Sequence, residues 1–317
     1  MTERVVTVFG GSGFIGRHLI GRLARQGWIV RVAVRRPSRA GFLKPMGEVG
    51  QVTPIRAPIQ DQIAVESAVA GADAVINLVG ILYERGPQTF AAVHAHGAQA
   101  VATAAAAAGV ERLVQVSALG ADHHGEADYA RSKSAGEAAV RTAFPNAVIL
   151  RPSVVFGPED SFFNRFATIA RLSPVLPLFG GGGGTRFQPV YVCDVADAIA
   201  RSVTDPACAG RIYELGGPHT YTFKELMELL LRQIHRRRLL VPWPFALAEF
   251  QARFFELLPV PPLTRDQVRM LRRDNVVTEA ALTLADLGIV ATAAEVILPS
   301  YLDRYRRGGR FNQTQPA

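Results

Sequence analysis

The sequence predicts an α/β protein with a doubly wound parallel sheet and a smaller, mostly helical C-terminal lobe. Short apolar runs alternate with amphipathic stretches through the first half of the chain. A glycine-rich turn joins the first apolar run to the first amphipathic stretch, and the pattern becomes mainly helical after Thr222. Buried strands of a parallel sheet read as continuous apolar runs, because helices cover both faces of such a sheet.

The order of these patterns predicts the domain organisation. Apolar runs at 5–9, 29–34, 75–79, 113–116 and 147–150 are expected to be strands, and the stretches up to 26 and at 61–70, 90–108 and 129–143 are expected to be helices. Residues 1–157 then form the sheet domain, to which segments near 186–216 (188–192 and 212–215) return. Residues 158–185, with a helix at 162–172, and 217–307 form the C-terminal lobe, and 308–317 form a tail.

Composition narrows the class of protein. Of 317 residues, 49% are hydrophobic and 20% are charged, which is typical of a globular chain. Cys193 and Cys208 are too few for a disulfide framework and lack metal-ligand spacing, so no metal site is expected. The chain has neither a leader pattern nor an apolar segment of about 18 residues, which predicts a cytoplasmic protein.

The net charge of +8 does not predict nucleic-acid binding. The excess of basic residues is spread along the chain, and only 3 of the 35 basic residues are lysines. A nucleic-acid interface would instead concentrate its positive charge on one face or stripe.

The glycine loop Gly10–Gly16 predicts a dinucleotide site in a Rossmann-type sheet. Gly10 permits the tight turn, Gly13 allows the backbone to approach a pyrophosphate, and Gly16 allows close helix–strand packing. The following helix directs N–H groups and its positive dipole end at the anion. Ser12, Phe14 and Ile15 complete the predicted cofactor-binding loop. The alternative is a glycine-rich turn without a ligand.

The end of the second predicted strand favours NADP(H) over NAD(H). An acidic residue there would accept the ribose 2′-hydroxyl of NAD, whereas a basic residue would accommodate the 2′-phosphate of NADP. The sequence has Arg35 and Arg36, and no acidic residue lies between Gly27 and Gly47. The alternative is a pair of solvated surface arginines.

A second constellation is Tyr129 and Lys133, four residues apart in a predicted helix. Residues at this spacing share one helix face, and a nearby ammonium favours the phenolate form of a tyrosine. Ser117 follows the predicted strand 113–116, at the edge of the sheet where ligands bind. The alternative is an incidental Tyr–Lys pair on an exposed helix.

These blocks resemble the short-chain dehydrogenase/reductase superfamily in its extended or atypical branch. The likeness runs through Asn77–Gly80, Arg151–Gly157 and Pro189–Val195, and covers roughly residues 3–200. It implies a catalytic set in which Ser117 orients a carbonyl or hydroxyl, Tyr129 passes a proton and Lys133 binds the nicotinamide ribose. The further cofactor contacts that it implies are Ile59, Val79, Gly80, Pro152 and Val154.

Two features set expectations about turnover and partners. His94 stands where these enzymes usually have an asparagine that helps relay the proton; it is expected either to relay the proton or to be a buried structural residue.

The segment 263–277 resembles the NADPH-binding accessory subunit of respiratory complex I and its bacterial relatives. That resemblance implies firmly held NADPH, and partners in complex I or among quinone-biosynthesis proteins at the inner face of the membrane.

The alternative function is a free-standing NADP(H)-dependent reductase, epimerase or dehydratase that acts on a nucleotide sugar or another carbonyl substrate. The intact Ser117, Tyr129 and Lys133 set leaves oxidoreductase activity open.

Two segments of the C-terminal lobe have open interpretations. The segment 236–258 begins with three arginines and continues with aromatic residues at helical spacing, so it predicts either a peripheral membrane or partner contact or a helix packed on the core. The run Gly180–Gly184 predicts either a mobile loop over a substrate cleft, with Arg186 and Gln188 near the ligand, or a plain connector.

Overall fold

The computed structural model describes residues 4–309, which divide into two compact units. The first unit contains residues 4–152, 192–215 and 278–290. The second unit contains residues 153–191, 216–277 and the described residues from 291 onward. The segment 278–290 therefore belongs with the sheet, whereas 153–157 and 186–191 belong with the second unit. The predicted tail at 308–317 lies outside the described residues from 310 onward.

The elements up to the sixth strand follow the alternation in the sequence. They are β1 (Arg4–Phe9), α1 (Phe14–Arg25), β2 (Trp28–Val34), β3 (Val52–Arg56), α2 (Gln62–Val69), β4 (Ala74–Asn77), α3 (Gly97–Ala107), β5 (Arg112–Val116), α4 (Asp128–Ala143) and β6 (Val148–Pro152). A 3-10 segment spans Pro37–Met46, and a π-helical turn, Ala91–His96, runs directly into α3.

The remaining elements are shorter. They are β7 (Val155–Phe156), α5 (Phe162–Leu172), β8 (Val175–Phe179), β9 (Arg186–Phe187), β10 (Val190–Tyr191), α6 (Val192–Thr204), β11 (Ile212–Leu215), β12 (Tyr221–Thr222), α7 (Phe223–Gln233), β13 (Leu239–Trp243), α8 (Phe245–Phe255), α9 (Arg265–Met270) and α10 (Ala294–Leu302).

The first unit is built on a parallel sheet of seven strands in the order β11-β6-β5-β4-β1-β2-β3. The order reverses direction between β1 and β4. In such sheets ligands bind at the carboxyl edge beside this switch point. The loops after β1, β2, β4 and β5 all leave the sheet at that edge, so the topology collects the residues predicted for the site.

Small residues let helices lie close to this edge. A Cβ at Gly136 of α4 would lie 2.1 Å from the carbonyl oxygen of His94, so only glycine permits the observed packing of α4 on the π-helical turn. In α3, Val101, Ala102 and Ala105 are fully or almost fully buried in the apolar core beside the sheet. The alanine-rich run 101–108 is thus a close-packed helix face.

An ion-pair network joins the far strands of the first unit. The Arg151 guanidinium contacts Glu137 Oε2 at 2.6 Å and Glu214 Oε1 at 3.5 Å. Glu214 Oε2 also accepts hydrogen bonds from the backbone N–H and the hydroxyl of Thr278. These contacts hold α4, β6, β11 and the segment from residue 278 in one unit.

The second unit has its own apolar core. Phe163, Phe166, Phe223, Leu226 and Leu298 belong to a buried cluster formed mainly by α5, α7 and α10. Two-stranded sheets accompany these helices: β7 pairs with β10, β9 with β12 and β8 with β13.

Two predictions about this region were wrong. Residues 190–191 pair with 155–156 in a separate small sheet, so this segment does not return to the large sheet. Residues 239–243, predicted as part of a helical region, form β13 and pair in parallel with β8. The run Leu-Leu-Val-Pro-Trp suits a short edge strand, in which a proline needs no ladder hydrogen bond. By contrast, Ile212–Leu215 joins the large sheet as predicted.

No helix within residues 4–309 is long and apolar enough to cross a bilayer.

Candidate functional site

The glycine loop leaves β1 in the form that the sequence predicts. Gly10 has a φ of +73°, and the Gly13 N–H donates to the Gly10 carbonyl oxygen at 2.9 Å. A Cβ at Gly16 would lie 2.3 Å from the Gly11 carbonyl oxygen, and a Cβ at Gly13 would lie 3.2 Å from that of Gly10. A side chain is therefore excluded at Gly16, where α1 packs on the loop, and would be tight at Gly13.

The amino end of α1 is open to an anion. Gly13 is its N-cap residue, and among the described residues no side chain caps the first turn. The first N–H groups of a helix lack partners within the helix and attract negative charge. Ser12, Phe14 and Ile15 surround this end and are half-buried.

Arg35 and Arg36 follow β2 directly, and both are exposed. Within residues 4–309 neither guanidinium is paired with a carboxylate. Their donors are therefore available at the carboxyl end of β2, where the ribose of a dinucleotide is read.

The loop after β4 lies against the glycine loop. A Cβ at Gly10 would be 3.2 Å from Val79, and the Val79 N–H donates to Asn77 Oδ1 at 3.1 Å. Asn77 is buried, and its amide donates to Gln115 Oε1 at 2.9 Å, which ties the ends of β4 and β5 together. Ile59 is 7% exposed and packs against Gly97.

Lys133 and Gly80 come together at this edge. The Lys133 side chain is buried, and its Nζ donates to the Val116 carbonyl oxygen at 3.4 Å. A Cβ at Gly80 would lie 3.3 Å from that Nζ. Burial lowers the pKa of Lys133 to about 8, and the nearby Glu137 carboxylate only partly offsets this effect.

Ser117 lies directly after β5. Its side chain is buried, and its Oγ has no hydrogen-bond partner among the described residues. A buried hydroxyl without a partner is costly to keep in a fold. A ligand oxygen at this position would satisfy it.

Tyr129 lies on α4, one turn before Lys133. The Lys133 Nζ is 5.8 Å from the centre of the Tyr129 ring. Edge contacts with Phe90, at 5.9 Å between centroids, and with His94, at 5.3 Å, hold that ring. The structure thus brings the predicted Tyr–Lys pair together on one helix.

His94 is a neutral structural residue in this arrangement. It is 3% exposed, and its Nε2 accepts the Ile81 N–H at 2.9 Å. Its Nδ1 therefore carries the proton and donates to Ser132 Oγ, 2.9 Å away. Burial first, and then the charge of Lys133, lower the pKa of His94 to about 3. Both ring nitrogens are engaged within the protein, so the structure favours the structural alternative over proton relay.

Phe90 and Ser132 are the neighbours of Tyr129 that sequence reasoning missed. Phe90 stacks on His94 at 5.4 Å, and the Ser132 hydroxyl lies between His94 Nδ1 and the Tyr129 carbonyl oxygen. The sequence contains the signal for Ser132, because it follows Tyr129 by three residues. Phe90 belongs to no motif, and only its fold position identifies it.

The last two predicted contacts fall in different units. Pro152 ends β6 in the first unit, and its carbonyl oxygen accepts the Leu119 N–H at 2.9 Å. Val154 lies in the second unit, where its N–H donates to Asn275 Oδ1 at 3.1 Å.

The glycine run of the second unit begins with a hydrogen-bonded turn. Gly180, Gly181 and Gly182 have φ values between +62° and +80°, and their N–H groups donate to Trp243, Leu178 and Phe179 carbonyl oxygens.

The two side chains predicted to follow the run towards a ligand bind within the second unit instead. Arg186 pairs with Asp274 at 2.9 Å, and Gln188 bonds to Gly217 and Val277.

The aromatic segment of the second unit exposes its large side chains. In α8 the fully buried residues are Ala248 and Ala252, whereas Phe250 and Phe254 are 61% and 56% exposed. Leu258, in the same stripe, is 50% exposed. Phe245, at the start of the stripe, is half-buried against the cluster of Ala248 and Ala252, so the stripe packs on the second unit there and is exposed from Phe250 onward.

The residues at the carboxyl edge fit a dinucleotide. Gly13, at the amino end of α1, has no side chain to block a pyrophosphate, the helix end is uncapped, and the Ser117 hydroxyl lacks a partner among the described residues. Among residues 4–309, no group of three or more His, Cys, Asp or Glu residues could hold a metal ion. The donor set is that of a nucleotide site.

Comparison with known proteins identifies the family. Residues 6–216 match the family described as the NAD dependent epimerase/dehydratase family. The chain is 38% identical, over 96% of its length and 79% of the relative's, to NADH dehydrogenase [ubiquinone] 1 alpha subcomplex subunit 9, mitochondrial, of Arabidopsis thaliana. It is 37% identical to the ceramide reductase of Caulobacter vibrioides, over 63% of this chain and 60% of that one.

Solved structures agree on the fold. MoeE5 in complex with UDP-glucose and NAD superimposes with a TM-score of 0.73 at 20% identity, over 96% of this chain and 99% of that one. Both the sequence match and the seven-stranded sheet agree with the resemblance that Gly10–Gly16, Tyr129 and Lys133 carry. The chain belongs to the NAD dependent epimerase/dehydratase family, an extended branch of the short-chain dehydrogenase/reductases, and is a homologue of a respiratory complex I subunit.

Proposed function

We propose that this protein is an NADP(H)-binding accessory or assembly subunit of a respiratory NADH:ubiquinone oxidoreductase, held at the membrane surface. The single observation that carries the proposal is the 38% identity to a subunit of that complex over nearly the whole chain. The likeness extends through both units, so it includes the segment 263–277 as well as the nucleotide fold.

Arg35 and Arg36 support NADP(H) as the nucleotide. Both guanidinium groups are exposed at the end of β2 and unpaired within the described chain. An arginine holds a phosphate through paired, charge-assisted hydrogen bonds, and no carboxylate follows β2 to accept a ribose hydroxyl. The loop Gly10–Gly16 would hold the pyrophosphate.

The chemistry at the nicotinamide end rests on three side chains. A bound nicotinamide supplies or accepts a hydride. Ser117 Oγ would donate a hydrogen bond to a substrate oxygen, and Tyr129 would hold the proton that such an oxygen gains or loses. Lys133, buried beside Gly80, would donate to the ribose and keep positive charge near the phenol.

His94 supports a binding role with slow turnover. An asparagine amide at this position could bind a relay water, but the His94 nitrogens are already bonded to Ile81 and Ser132. A neutral imidazole with a pKa of about 3 does not exchange protons near neutral pH. The nucleotide then acts mainly to hold the first unit together.

The exposed face of α8 supports a peripheral membrane location. Phe250, Phe254 and Leu258 are at least half exposed, and three arginines precede β13 and α8 in the chain. A helix with a basic flank and an aromatic face binds the interface of a bilayer. We therefore assign the segment 236–258 to membrane contact.

Co-migration tests the accessory role. Membranes from cells that carry a tagged chain are solubilised mildly and separated by native electrophoresis, with detection of the tag and of NADH dehydrogenase activity. The chain is expected to migrate with the complex. Migration only as a free protein, with rapid dehydrogenase turnover, would contradict the accessory role.

A second candidate is a free-standing reductase that acts on a lipid-like carbonyl substrate. The ceramide reductase relative and the complete Ser117, Tyr129 and Lys133 set favour it. It predicts NADPH oxidation with a long-chain keto substrate, abolished in Tyr129→Phe and unchanged in Tyr83→Phe, a half-buried tyrosine outside the Ser117, Tyr129 and Lys133 set that serves as the control. Equal rates in both variants would exclude it.

A further inference from the structure

A basic pocket lies at the carboxyl end of α7 in the second unit. It is an open depression of about 630 Å³ whose lining includes Arg232, His235, Arg236, Arg237 and Arg238. The function proposed above uses three of these arginines only as the basic flank of the segment 236–258, and assigns them no ligand. Four arginines and a histidine around one pocket concentrate the positive charge that is otherwise spread thinly along the chain.

The arginines of this pocket are poorly neutralised, because the one carboxylate in its lining, Glu228, lies 3.7 Å from the Lys224 ammonium and pairs with it instead. Partial burial lowers the pKa of Arg236, and the positive charges of Arg238, Arg307 and Arg171 lower it further. Within residues 4–309 no carboxylate is paired with Arg236 or Arg238. Like charges brought together without counter-charges raise the energy of the empty pocket, and an anion would remove that penalty.

Backbone contacts fix the directions of two of these guanidinium groups. Arg236 Nε donates to the Tyr305 carbonyl oxygen at 2.8 Å, and Arg238 Nε donates to the Ala170 carbonyl oxygen at 2.7 Å. Arg238 Nη1 also donates to the Arg237 carbonyl oxygen at 2.9 Å, so the terminal nitrogens of Arg236 and Nη2 of Arg238 remain for a ligand. Arg232 and Arg237 are exposed and complete the set. A site built in this way binds with less loss of side-chain entropy.

His235 occupies a strained position in the wall of the pocket. Its φ is +52°, and within residues 4–309 it is the one residue other than glycine with a positive φ. The His235 N–H bonds to Arg232 and the Arg236 N–H to Leu231, which is the Schellman arrangement that usually carries glycine. A left-handed residue with a side chain costs roughly 1–2 kcal/mol. Such strain persists most often at functional sites.

Apolar side chains accompany the arginines. Leu231 and Leu240 line the pocket and are half-buried. Leu239, between Arg238 and Leu240, is 69% exposed, and Leu172, next to Arg171, is 77% exposed. A free phosphate would use the guanidinium groups alone, whereas a phospholipid would also contact these leucines.

We propose that this pocket binds the phosphate of an anionic phospholipid headgroup in a bilayer, with Arg232, Arg236, Arg237 and Arg238 as donors. Guanidinium groups match phosphate oxygens in pairs, and basic residues at a membrane surface are attracted to anionic lipids. The inference rests on the proposed membrane location of 236–258 and gives that location a lipid specificity.

Vesicle binding tests the pocket without the respiratory complex. Purified full-length protein is titrated with phosphatidylcholine vesicles, with and without added phosphatidylglycerol, and bound protein is measured by co-sedimentation. The double variant Arg232→Gln/Arg237→Gln removes two exposed charges. The matched control Arg25→Gln/Arg141→Gln removes two exposed charges from the first unit. Unchanged melting temperatures verify the fold of each variant.

The wild-type protein is expected to bind only the vesicles that contain phosphatidylglycerol. At about 1 kcal/mol per basic residue, the pocket variant should bind about 30-fold more weakly, while the control stays within a few-fold of wild type. An equal loss of vesicle affinity in both variants would mean that binding depends only on the net charge of the protein, and it would overturn the proposal. Wild-type binding that is independent of phosphatidylglycerol would also overturn it.

Two further arms separate the lipid from other anions. Inorganic phosphate, followed by ³¹P NMR, and a short DNA duplex, followed by fluorescence anisotropy, are titrated into the same proteins. The proposal predicts that neither binds with the affinity of the vesicles. A pocket-dependent affinity for either that exceeds the vesicle affinity would overturn the lipid assignment. Loss of vesicle binding would still leave co-migration with the complex intact, so the two proposals fail separately.

Discussion

Replacement of Lys133 by methionine should stabilise the nucleotide-free protein. The Lys133 ammonium is buried, and a pKa lowered from 10.5 to about 8 is equivalent to about 3 kcal/mol of unfavourable charge burial. Methionine has a similar length and carries no charge. The variant loses the hydrogen bond from Nζ to the Val116 carbonyl oxygen, which costs about 1 kcal/mol. The net gain should be about 2 kcal/mol below pH 8.

The direction of the pKa shift predicts how the stability difference between the variant and wild type depends on pH. Because the pKa of Lys133 is lower in the folded than in the unfolded state, the penalty is fully present below about pH 8. It disappears as the pH rises from 8 through 10.5, above which the lysine is mostly neutral in both states. The stability advantage of Lys133→Met should therefore be largest at pH 7 and should be lost before pH 10.5, where only the cost of the lost hydrogen bond remains.

Thermal unfolding of the nucleotide-free protein measures the effect. At about 2–4 °C per kcal/mol, Lys133→Met should melt about 4–8 °C above wild type at pH 7. Lys224→Met, which removes an exposed lysine that is 3.7 Å from Glu228, should shift the melting temperature by no more than about 1 °C. A melting temperature below that of wild type at pH 7, or a higher melting temperature of the variant that persists at pH 10.5, would refute the reasoning.

Three further predictions concern the nucleotide loop and the ion-pair network. Arg35→Ala should weaken NADPH binding about 10-fold or more and leave NADH binding unchanged in calorimetric titration; an equal loss for both nucleotides would contradict the 2′-phosphate assignment. Gly16→Ala should destabilise the fold by several kcal/mol, roughly the cost of a severe backbone clash, because its Cβ would lie 2.3 Å from a carbonyl oxygen. Gly41→Ala, whose Cβ meets nothing within 4 Å, is the control in denaturant unfolding, and similar midpoints would reject the packing argument. Glu137→Ala should lower stability by about 2–4 kcal/mol, because Arg151 keeps only the 3.5 Å contact with Glu214; a neutral effect in the same assay would mean that the buried pair is not stabilising.

The sequence predicted the parts of the fold that depend on local chemistry. In the loop Gly10–Gly16, the tight turn explains Gly10, and contacts within the loop and with α1 explain Gly13 and Gly16. The neighbouring strands β1 and β2 are apolar runs that the sequence shows directly. The strand at 239–243 was missed because Leu-Leu-Val-Pro-Trp has no period of its own and pairs with a strand more than 60 residues earlier. Such a pairing depends on tertiary packing that no local pattern encodes.

In the candidate site, too, the sequence predicted the local features but not the contacts between distant segments. Helical geometry predicts that Tyr129 and Lys133 lie on one face of a helix, and in the structure they lie one turn apart on α4. The contact between Tyr129 and Phe90 joins residues far apart in sequence, so it follows only from the fold. In α8 the helical spacing of the aromatic residues identified the stripe, but it did not predict which face of the helix is buried. Small alanines at 248 and 252 allow close approach, so they are buried and the phenylalanines are left exposed.

The identity of the bound nucleotide tests the central claim most directly. The protein is purified under native conditions without added cofactor and denatured, and the released nucleotide is identified by chromatography and mass spectrometry. The arrangement of Gly10–Gly16 with Arg35 and Arg36 predicts NADPH or NADP⁺ in near-stoichiometric amount. Release of NAD(H), or of no nucleotide, would contradict the account.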